Sequence, residues 1–354
     1  MKETLSRRRF LSLSLCSAAA LTLPAWLAGC AGSGSNDTAA SLGDSSATSS
    51  SQQEKRSITL FNFDTVIQIS ARTTEEVMQQ LADRCEYFES KFSRTIEGTD
   101  IWNINHAAGA AVEVAPETAQ CISAALEYSK ASDGLFDITI GAVSSLWDFV
   151  VGVKPDDAAI QEAIKHVDYR CVKVDGTTVT LSDPKAMLDL GGIAKGFITD
   201  DLVGILREAG CESAMLSLGG NVYVLGESFR GDNWNVGVQD PNGATDDVIA
   251  SVPAQNKSVV TSGLYERSFT QDGVLYYHIL DPKTGYPAQT DLASASIMSD
   301  ASTDGDAYST ILFLLGHDRA IDLLNSDERF SGVVVDMNDT ATASAGSDFT
   351  ILEG

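Results

Sequence analysis

Four stretches of this sequence combine residue types suited to chemistry. DLGGIAKGFITD, residues 189–200, sets two adjacent glycines, a lysine three positions on, and a third glycine at the head of a helical pattern. Gly191 and Gly192 bare two amides, the following helix offers its positive end, and Lys195 adds a full charge; together these suit a phosphate. The segment is neither a Walker loop, which needs Gly-x-x-x-x-Gly-Lys-[Ser/Thr], nor a Gly-x-Gly-x-x-Gly turn. In SDASTDGDAYSTILFLLG, 299–316, Asp306 and Thr310 lie four apart on one helical face. That pairs a carboxylate with a hydroxyl, hard oxygens suited to Mg²⁺ held together with substrate phosphates. Asp300, Ser302, Asp304 and Gly305 open like a calcium loop, but Ile311 stands where the twelfth position needs a bidentate glutamate. His278, in YYHILDPKTGYP, ends a strand at an Asp-Pro turn and is a candidate acid or base. Asp137 lies inside the apolar GLFDITIG, where a carboxylate needs a partner. Each has a plain structural alternative: a tight turn, a helix cap at Asp306 with Thr310 bonded back to a carbonyl, a fold histidine, a hydrogen-bonded buried acid.

The elements that must position these residues are partly legible. Residues 58–71 read as a strand. Residues 73–92 read as an amphipathic helix capped by Thr74, with Val77, Leu81, Phe88 and Phe92 on one face. A second helix runs over 116–134, with Pro116 at its start and Gly134 beyond its end, and strand-like LFDITI follows. Residues 155–167 predict a helix and 171–183 a hairpin with an Asp-Gly turn. The glycine segment leads into a helix over 197–209 whose apolar stripe is Ile198, Leu202, Ile205 and Ala209. Residues 213–227 read as strand, Gly-Gly break, strand. β-rich sequence then continues until a late helix beginning near Asp306, a short helix in DRAIDLLN, and closing strands in GVVVDMN and DFTILE. No repeat of solenoid period appears. Helices alternate irregularly with hairpins, which predicts an α+β fold with mixed or antiparallel sheets and flanking helices.

Residues 1–29 read as a twin-arginine lipoprotein signal: SRRRFLSLSL places arginines before an apolar run that ends in LAGC, so Cys30 takes lipid and becomes the first residue. The apolar run is short and broken by serines and Pro24, which argues against a membrane span. Residues 30–56 form a lipidated cysteine and a Ser/Gly/Ala-rich tether. The expected location is extracytoplasmic, lipid-anchored to the membrane. The net charge is -25, from 24 basic and 49 acidic residues, which repels nucleic acid and anionic headgroups. An acidic protein that binds phosphate must gather positive potential locally. Cys85, Cys121, Cys171 and Cys211 are far apart, with no Cys-x-x-Cys, which excludes a thiolate metal site of ordinary spacing and leaves their pairing open.

Taken in order, FSRTIEGTDIWNIN (92–105), GLFDITIGAVSSLW (134–147), DLGGIAKGFITD, SLGGNVYVLG (217–226), VVTSGLYERSF (259–269), HILDPKTGYP (278–287) and DAYSTILFLLG (306–316) resemble one family. It is that of the FAD:protein FMN transferases, the ApbE family of flavin-transferring lipoproteins. The resemblance covers nearly all of 58–354. It implies an ApbE-like fold over 57–354, with FAD in a cleft between sub-domains. It also implies Mg²⁺, or Mn²⁺ in its place, on the backbone carbonyl of Gly192, Asp306 and Thr310. FAD contacts are implied at Thr95, Leu135, Phe136, Asp137, Asp189, Lys195 and Leu280, and a catalytic role at His278. Phe63-Asp64-Thr65 stands where the family has Met-Gly-Thr, and Thr95 where it often has an aromatic. The implied reaction transfers FMN from FAD to a Thr or Ser hydroxyl of an acceptor flavoprotein subunit, exported or in a membrane redox complex, and releases AMP. The rivals are FAD hydrolysis to FMN and AMP, a non-catalytic FAD-binding lipoprotein, and a calcium-stabilised adhesion lipoprotein, against which Ile311 counts.

Overall fold

The protein is represented by a computed structural model that describes residues 54–244 and 247–352; the export signal, Cys30 and nearly all of the tether lie outside the described residues. The described residues belong to one compact unit. It opens with β1 (Lys55–Asn62) and β2 (Thr65–Arg72), then α1 (Glu75–Phe92) and α2 (Asp100–His106). β3 (Val112–Glu113) leads to α3 (Pro116–Ala131), the short α4 (Gly141–Ser144) and α5 (Asp157–Ala163). A hairpin of β4 (Val172–Asp175) and β5 (Thr178–Leu181) precedes α6 (Ala194–Glu208). A run of strands then follows: β6 (Ser213–Leu218), β7 (Asn221–Gly226), β8 (Trp234–Gln239), β9 (Val248–Ala254) and β10 (Lys257–Gly263), then β11 (Ser268–Gln271) and β12 (Val274–Tyr277). β13 (Leu292–Ser299), α7 (Ser302–Leu315), α8 (His317–Ser326), β14 (Ser331–Asp336), β15 (Ala341–Ala343) and β16 (Thr350–Ile351) complete it.

Eight strands form one sheet in the order β1-β2-β6-β7-β10-β13-β14-β15, and every neighbouring pair in it is antiparallel. Strand period sorts its two faces. Val260 and Val334 point into the core beneath α7 and α8, while their neighbours Val259, Val333 and Val335 pack against β8 and β9 on the other side. Three layers result: helices, the large sheet, and the small sheet β16-β9-β8. β13 is covered on both faces and reads as nearly continuous burial rather than alternation.

Several local expectations are corrected. Residues 58–71 are not one strand but the β1–β2 hairpin, turned at Phe63 and Asp64, both with φ near 56°. Two left-handed residues make the two-residue turn that matches strand twist, and neither is glycine here. LFDITI is not a strand: Oδ1 of Asp137 accepts from Thr139 N and Oγ1, which folds the segment into a turn, and Ile140 pairs only as a single bridge with Met187. The helix expected at 197–209 begins at Ala194, and its buried stripe includes Val203 and Leu206 in place of Ile205 and Ala209. The late helix begins at Ser302, so Asp306 sits one turn inside it and does not cap it. α1 keeps its Thr74 cap, accepting from Val77 N at 3.3 Å.

Candidate active site

The glycine segment meets the late aspartate helix through a pair of exchanged caps. Asp200, on α6, accepts from Ser302 N and Thr303 N at 2.8 Å each, satisfying the exposed amides at the start of α7. Asp306, on α7, accepts from Gly196 N at 2.9 Å in the first turn of α6. Each helix start is thus closed by a carboxylate from the other helix. The third glycine of the motif makes this approach possible. A Cβ on Gly196 would stand 2.8 Å from Asp306 Cβ and 2.7 Å from the Ser302 carbonyl carbon.

This capping has a consequence for Gly192. In a regular helix start, the Gly196 amide would donate back to the Gly192 carbonyl four residues earlier. Here that amide is spent on Asp306, and among the described residues no donor reaches the Gly192 oxygen. Gly192 itself lies close to Thr310: a Cβ built there would be 3.6 Å from Thr310 Oγ1 and 2.9 Å from the Phe136 ring. Thr310 Oγ1 lies 3.3 Å from Ser262 Oγ, and Ser262 Oγ lies 2.9 Å from Ser309 Oγ. The structure therefore brings Gly192, Asp306 and Thr310 together, with Phe136 packed behind the loop.

Lys195 Nζ bridges Asp306 Oδ1 at 3.1 Å and the Gly191 carbonyl at 3.3 Å. Burial would lower its pKa, but Asp306 and Glu266 overcome that and raise it, so the lysine is charged. Asp189 holds the other side of the loop. It accepts from Gly191 N at 2.9 Å and Ser144 Oγ at 2.7 Å, and pairs with Arg94 Nε at 3.2 Å. Burial would raise its carboxyl; Arg94, these hydrogen bonds and the more distant Arg267 hold it below the usual range.

His278 follows β12 directly, and its amide donates to Arg267 O at 3.1 Å. Its Nδ1 is buried with no hydrogen-bond partner among the described residues. Burial, then the charges of Arg267 and Lys195, push its pKa down from 6.5 to about 4, so the ring is neutral near pH 7. Glu266 is pushed up, chiefly by burial and further by Asp306, against the pull of Lys195 and Arg267. Three cations, Arg94, Lys195 and Arg267, thus face three carboxylates, Asp189, Glu266 and Asp306. The cations gathered here are matched by an equal number of acids.

The remaining expected residues take varied places. Asp137 spends both oxygens within the fold: Oδ1 on its own turn at Thr139, Oδ2 on the distant Tyr169 N at 2.8 Å. Thr95 is exposed beside Arg94, its hydroxyl 3.2 Å from Ser93 Oγ. Leu280 is buried against Val143, Trp147 and Ile160. Leu135 lines a separate cavity of about 660 Å³ with Tyr308, Ile311 and Leu315, on a different face of α7 from Asp306 and Thr310. The calcium-like residues are otherwise engaged: Asp304 accepts from Tyr128 Oη at 2.6 Å and Asp300 pairs with Lys257. All four cysteines of the folded part are free thiols. Among the described residues no group of three or more His, Cys, Asp or Glu is placed to hold a metal, and no helix is long and apolar enough to cross a membrane. Sequence reasoning did not single out Arg94, Ser144, Ser262, Glu266 or Arg267. All five lie inside the motifs quoted above, Arg94 in FSRTIEGTDIWNIN, Ser144 in GLFDITIGAVSSLW, and Ser262, Glu266 and Arg267 in VVTSGLYERSF.

The chain is similar to known proteins. The ApbE family model matches residues 63–334. A FAD:protein FMN transferase of Treponema pallidum (strain Nichols) is 39% identical over 240 residues, covering 63% of this chain and 66% of the relative. One from Klebsiella pneumoniae (strain 342) is 38% identical over 245 residues, 68% of this chain and 76% of the relative. Among solved structures, the ApbE protein of Thermotoga maritima superposes with a TM-score of 0.76 at 32% identity, covering 82% of this chain and 97% of that one. The flavin transferase ApbE from Vibrio cholerae, at 21% identity, shares the fold with a TM-score of 0.73, covering 82% of this chain and 97% of that one.

Proposed function

The chain belongs to the ApbE family, and we propose that it is a transferase that moves FMN from FAD onto a Thr or Ser hydroxyl of an acceptor flavoprotein, releasing AMP. One observation carries the assignment of the site. The Gly196 amide is diverted to Asp306, which leaves the Gly192 carbonyl without a donor beside Thr310. Gly192 is half-buried, so its oxygen is both free of a protein donor and open to a ligand.

The residues present fit Mg²⁺, or Mn²⁺ in its place. The donors are all hard oxygens, the Gly192 carbonyl, the Asp306 carboxylate and the Thr310 hydroxyl, and too few to complete a shell without substrate phosphates and water. The charge balance points the same way. Three cations against three carboxylates leave nothing over for a diphosphate, and a divalent cation would supply the difference. When bound, the metal neutralises charge on the pyrophosphate.

The chain's own residues account for the rest. Lys195, released from Asp306, binds a pyrophosphate oxygen and takes up charge as the bond breaks. Arg94 and Arg267 favour the anion electrostatically, and Asp189 and Phe136 fix the loop. The acceptor hydroxyl oxygen attacks the FMN-side phosphorus. The bond to the bridging oxygen breaks, and AMP leaves with that oxygen. His278, neutral near pH 7, accepts the hydroxyl proton. We place the enzyme outside the cytoplasmic membrane, lipid-anchored at Cys30, on the strength of the SRRRF and LAGC motifs.

The test incubates the full chain with FAD, Mg²⁺ and a flavin-acceptor subunit of a membrane redox complex. Transfer yields a fluorescent acceptor band on a denaturing gel together with AMP. AMP without a band would show hydrolysis, and neither product would leave only a FAD carrier.

A further inference from the structure

Beside the site, the protein presents an apolar surface that its own fold leaves uncovered. Val150 is 93% exposed, Val151 74%, Val153 47% and Val274 50%. The loop bearing the first three is closed by hydrogen bonds to Asp148. Asp148 Oδ1 accepts from Val150 N at 3.0 Å and Val151 N at 2.8 Å, and Asp148 O accepts from Gly152 N and Val153 N. Its base is a fixed aromatic cluster. Trp147 donates to Gly285 O at 3.2 Å and stacks on Phe149, with ring centroids 5.5 Å apart. Phe149 meets Phe269 at 5.9 Å, and Phe269 stacks on Tyr276 at 5.4 Å. Phe269 and Tyr276 belong to the β11–β12 hairpin, a two-stranded sheet with no further strand on either edge among the described residues.

This lip is tied to the site at three points. β11 begins one residue after Arg267, and β12 ends one residue before His278. The valine loop follows α4, whose Ser144 hydrogen-bonds Asp189. Leu280 shares the cluster of Trp147 and Phe149. The lip thus adjoins the segments that carry Arg267, His278 and Asp189.

We propose that the Val150–Val153 loop and the β11–β12 hairpin are the docking surface for the acceptor protein, seating an extended segment with apolar side chains next to its acceptor hydroxyl. This rests on the transferase reading. That reading requires a macromolecule to reach the segments the lip adjoins, and the two uncovered edges of the hairpin offer main-chain pairing to an extended chain. The net charge of -25 disfavours an anionic lipid surface as the occupant. An apolar lip also lets an acidic enzyme hold a partner without charge attraction.

The test compares the full chain with its Val150→Asp/Val151→Asp variant, using the flavin-acceptor subunit that the wild type labels. The substituted side chains are exposed, so the fold does not depend on them. The acceptor KM should rise about tenfold or more, equivalent to at least 1.4 kcal/mol, with kcat and the FAD Kd unchanged. Replacing the apolar neighbours of the acceptor threonine by serine should raise KM in the wild type and add little in the variant. An unchanged acceptor KM would overturn the proposal. With lost sedimentation on phosphatidylglycerol vesicles, it would assign the lip to a membrane. With a changed oligomeric state, it would assign it to a second copy. A weakened FAD Kd would also overturn it, since the lip would then act on the cofactor. If the wild type labels no acceptor, the transferase reading itself has failed.

Discussion

Gly196→Ala tests whether the exchanged caps hold the site together. A Cβ at 196 would stand 2.7 Å from the Ser302 carbonyl carbon and 2.8 Å from Asp306 Cβ, where carbon atoms rest at about 3.5–4.0 Å. Neither neighbour is a flexible end: one is backbone in the first turn of α7, the other the root of the Asp306 side chain. The two helices must part by about 1 Å, and overpacking of this kind costs about 1–3 kcal/mol. Parting also loosens the Gly196–Asp306 and Asp200–Ser302 caps, at about 1 kcal/mol each. A loss of about 3–5 kcal/mol corresponds to a Tm decrease of roughly 5–8 °C for a folded part of about 300 residues. FAD affinity with Mg²⁺, read by flavin fluorescence, should fall about tenfold or more, because Asp306 moves away from Gly192. Gly204→Ala is the control. It lies in the same helix with open space around it, and should leave binding unchanged and stability equal or higher by about 1 kcal/mol. If Gly196→Ala behaves like Gly204→Ala in both thermal unfolding and titration, the close helix contact does not position the site.

Other perturbations probe neighbouring parts. Asp306→Asn should lower FMN transfer about 100-fold or more, with excess Mg²⁺ failing to restore it; near-normal transfer in the gel assay removes Asp306 from the site. Asp200→Ala should cost about 1–2 kcal/mol in urea unfolding, since it strips two amides of α7 of their acceptor; a change below about 0.5 kcal/mol would contradict the capping role. The folded pKa of His278 lies at about 4 against an ordinary 6.5, so between those values the folded chain binds fewer protons than the unfolded one. Stability is therefore lost as pH falls from 6.5 towards 4, and His278→Gln should flatten that slope. Identical urea midpoint slopes for wild type and variant would show that the ring is not buried neutral.

The large elements and the order of the motifs were legible, because apolar period and capping residues are local signals. Thr74, Pro116 and the Gly219-Gly220 turn mark their elements directly. The β1–β2 turn was not legible, because Phe63 and Asp64 adopt φ near 56° without a glycine or Asn-Gly to announce it. LFDITI has strand composition, yet the short acceptor on Asp137 captures the Thr139 amide and hydroxyl and bends it. At the site, Asp306, Thr310 and Lys195 could be singled out by type and spacing. The role of the third glycine could not, because it depends on where Ser302 lies, about a hundred residues away. Asp200 was hidden for the same reason: nothing in its own helix shows that it serves the start of another. Arg94 and Arg267 come together only through the fold, from a helix end and a strand start far apart in sequence.

The central claim is that Gly192, Asp306 and Thr310 grip a divalent cation against the diphosphate of FAD. Crystals of the full chain grown with FAD and Mn²⁺ would test it by anomalous scattering. The expected result is one Mn²⁺ peak within about 2.1–2.4 Å of the Gly192 carbonyl oxygen, an Asp306 carboxylate oxygen and Thr310 Oγ1, and also of a pyrophosphate oxygen. Ordered FAD with manganese elsewhere, or with Lys195 still paired to Asp306 and no peak between the helices, would contradict it.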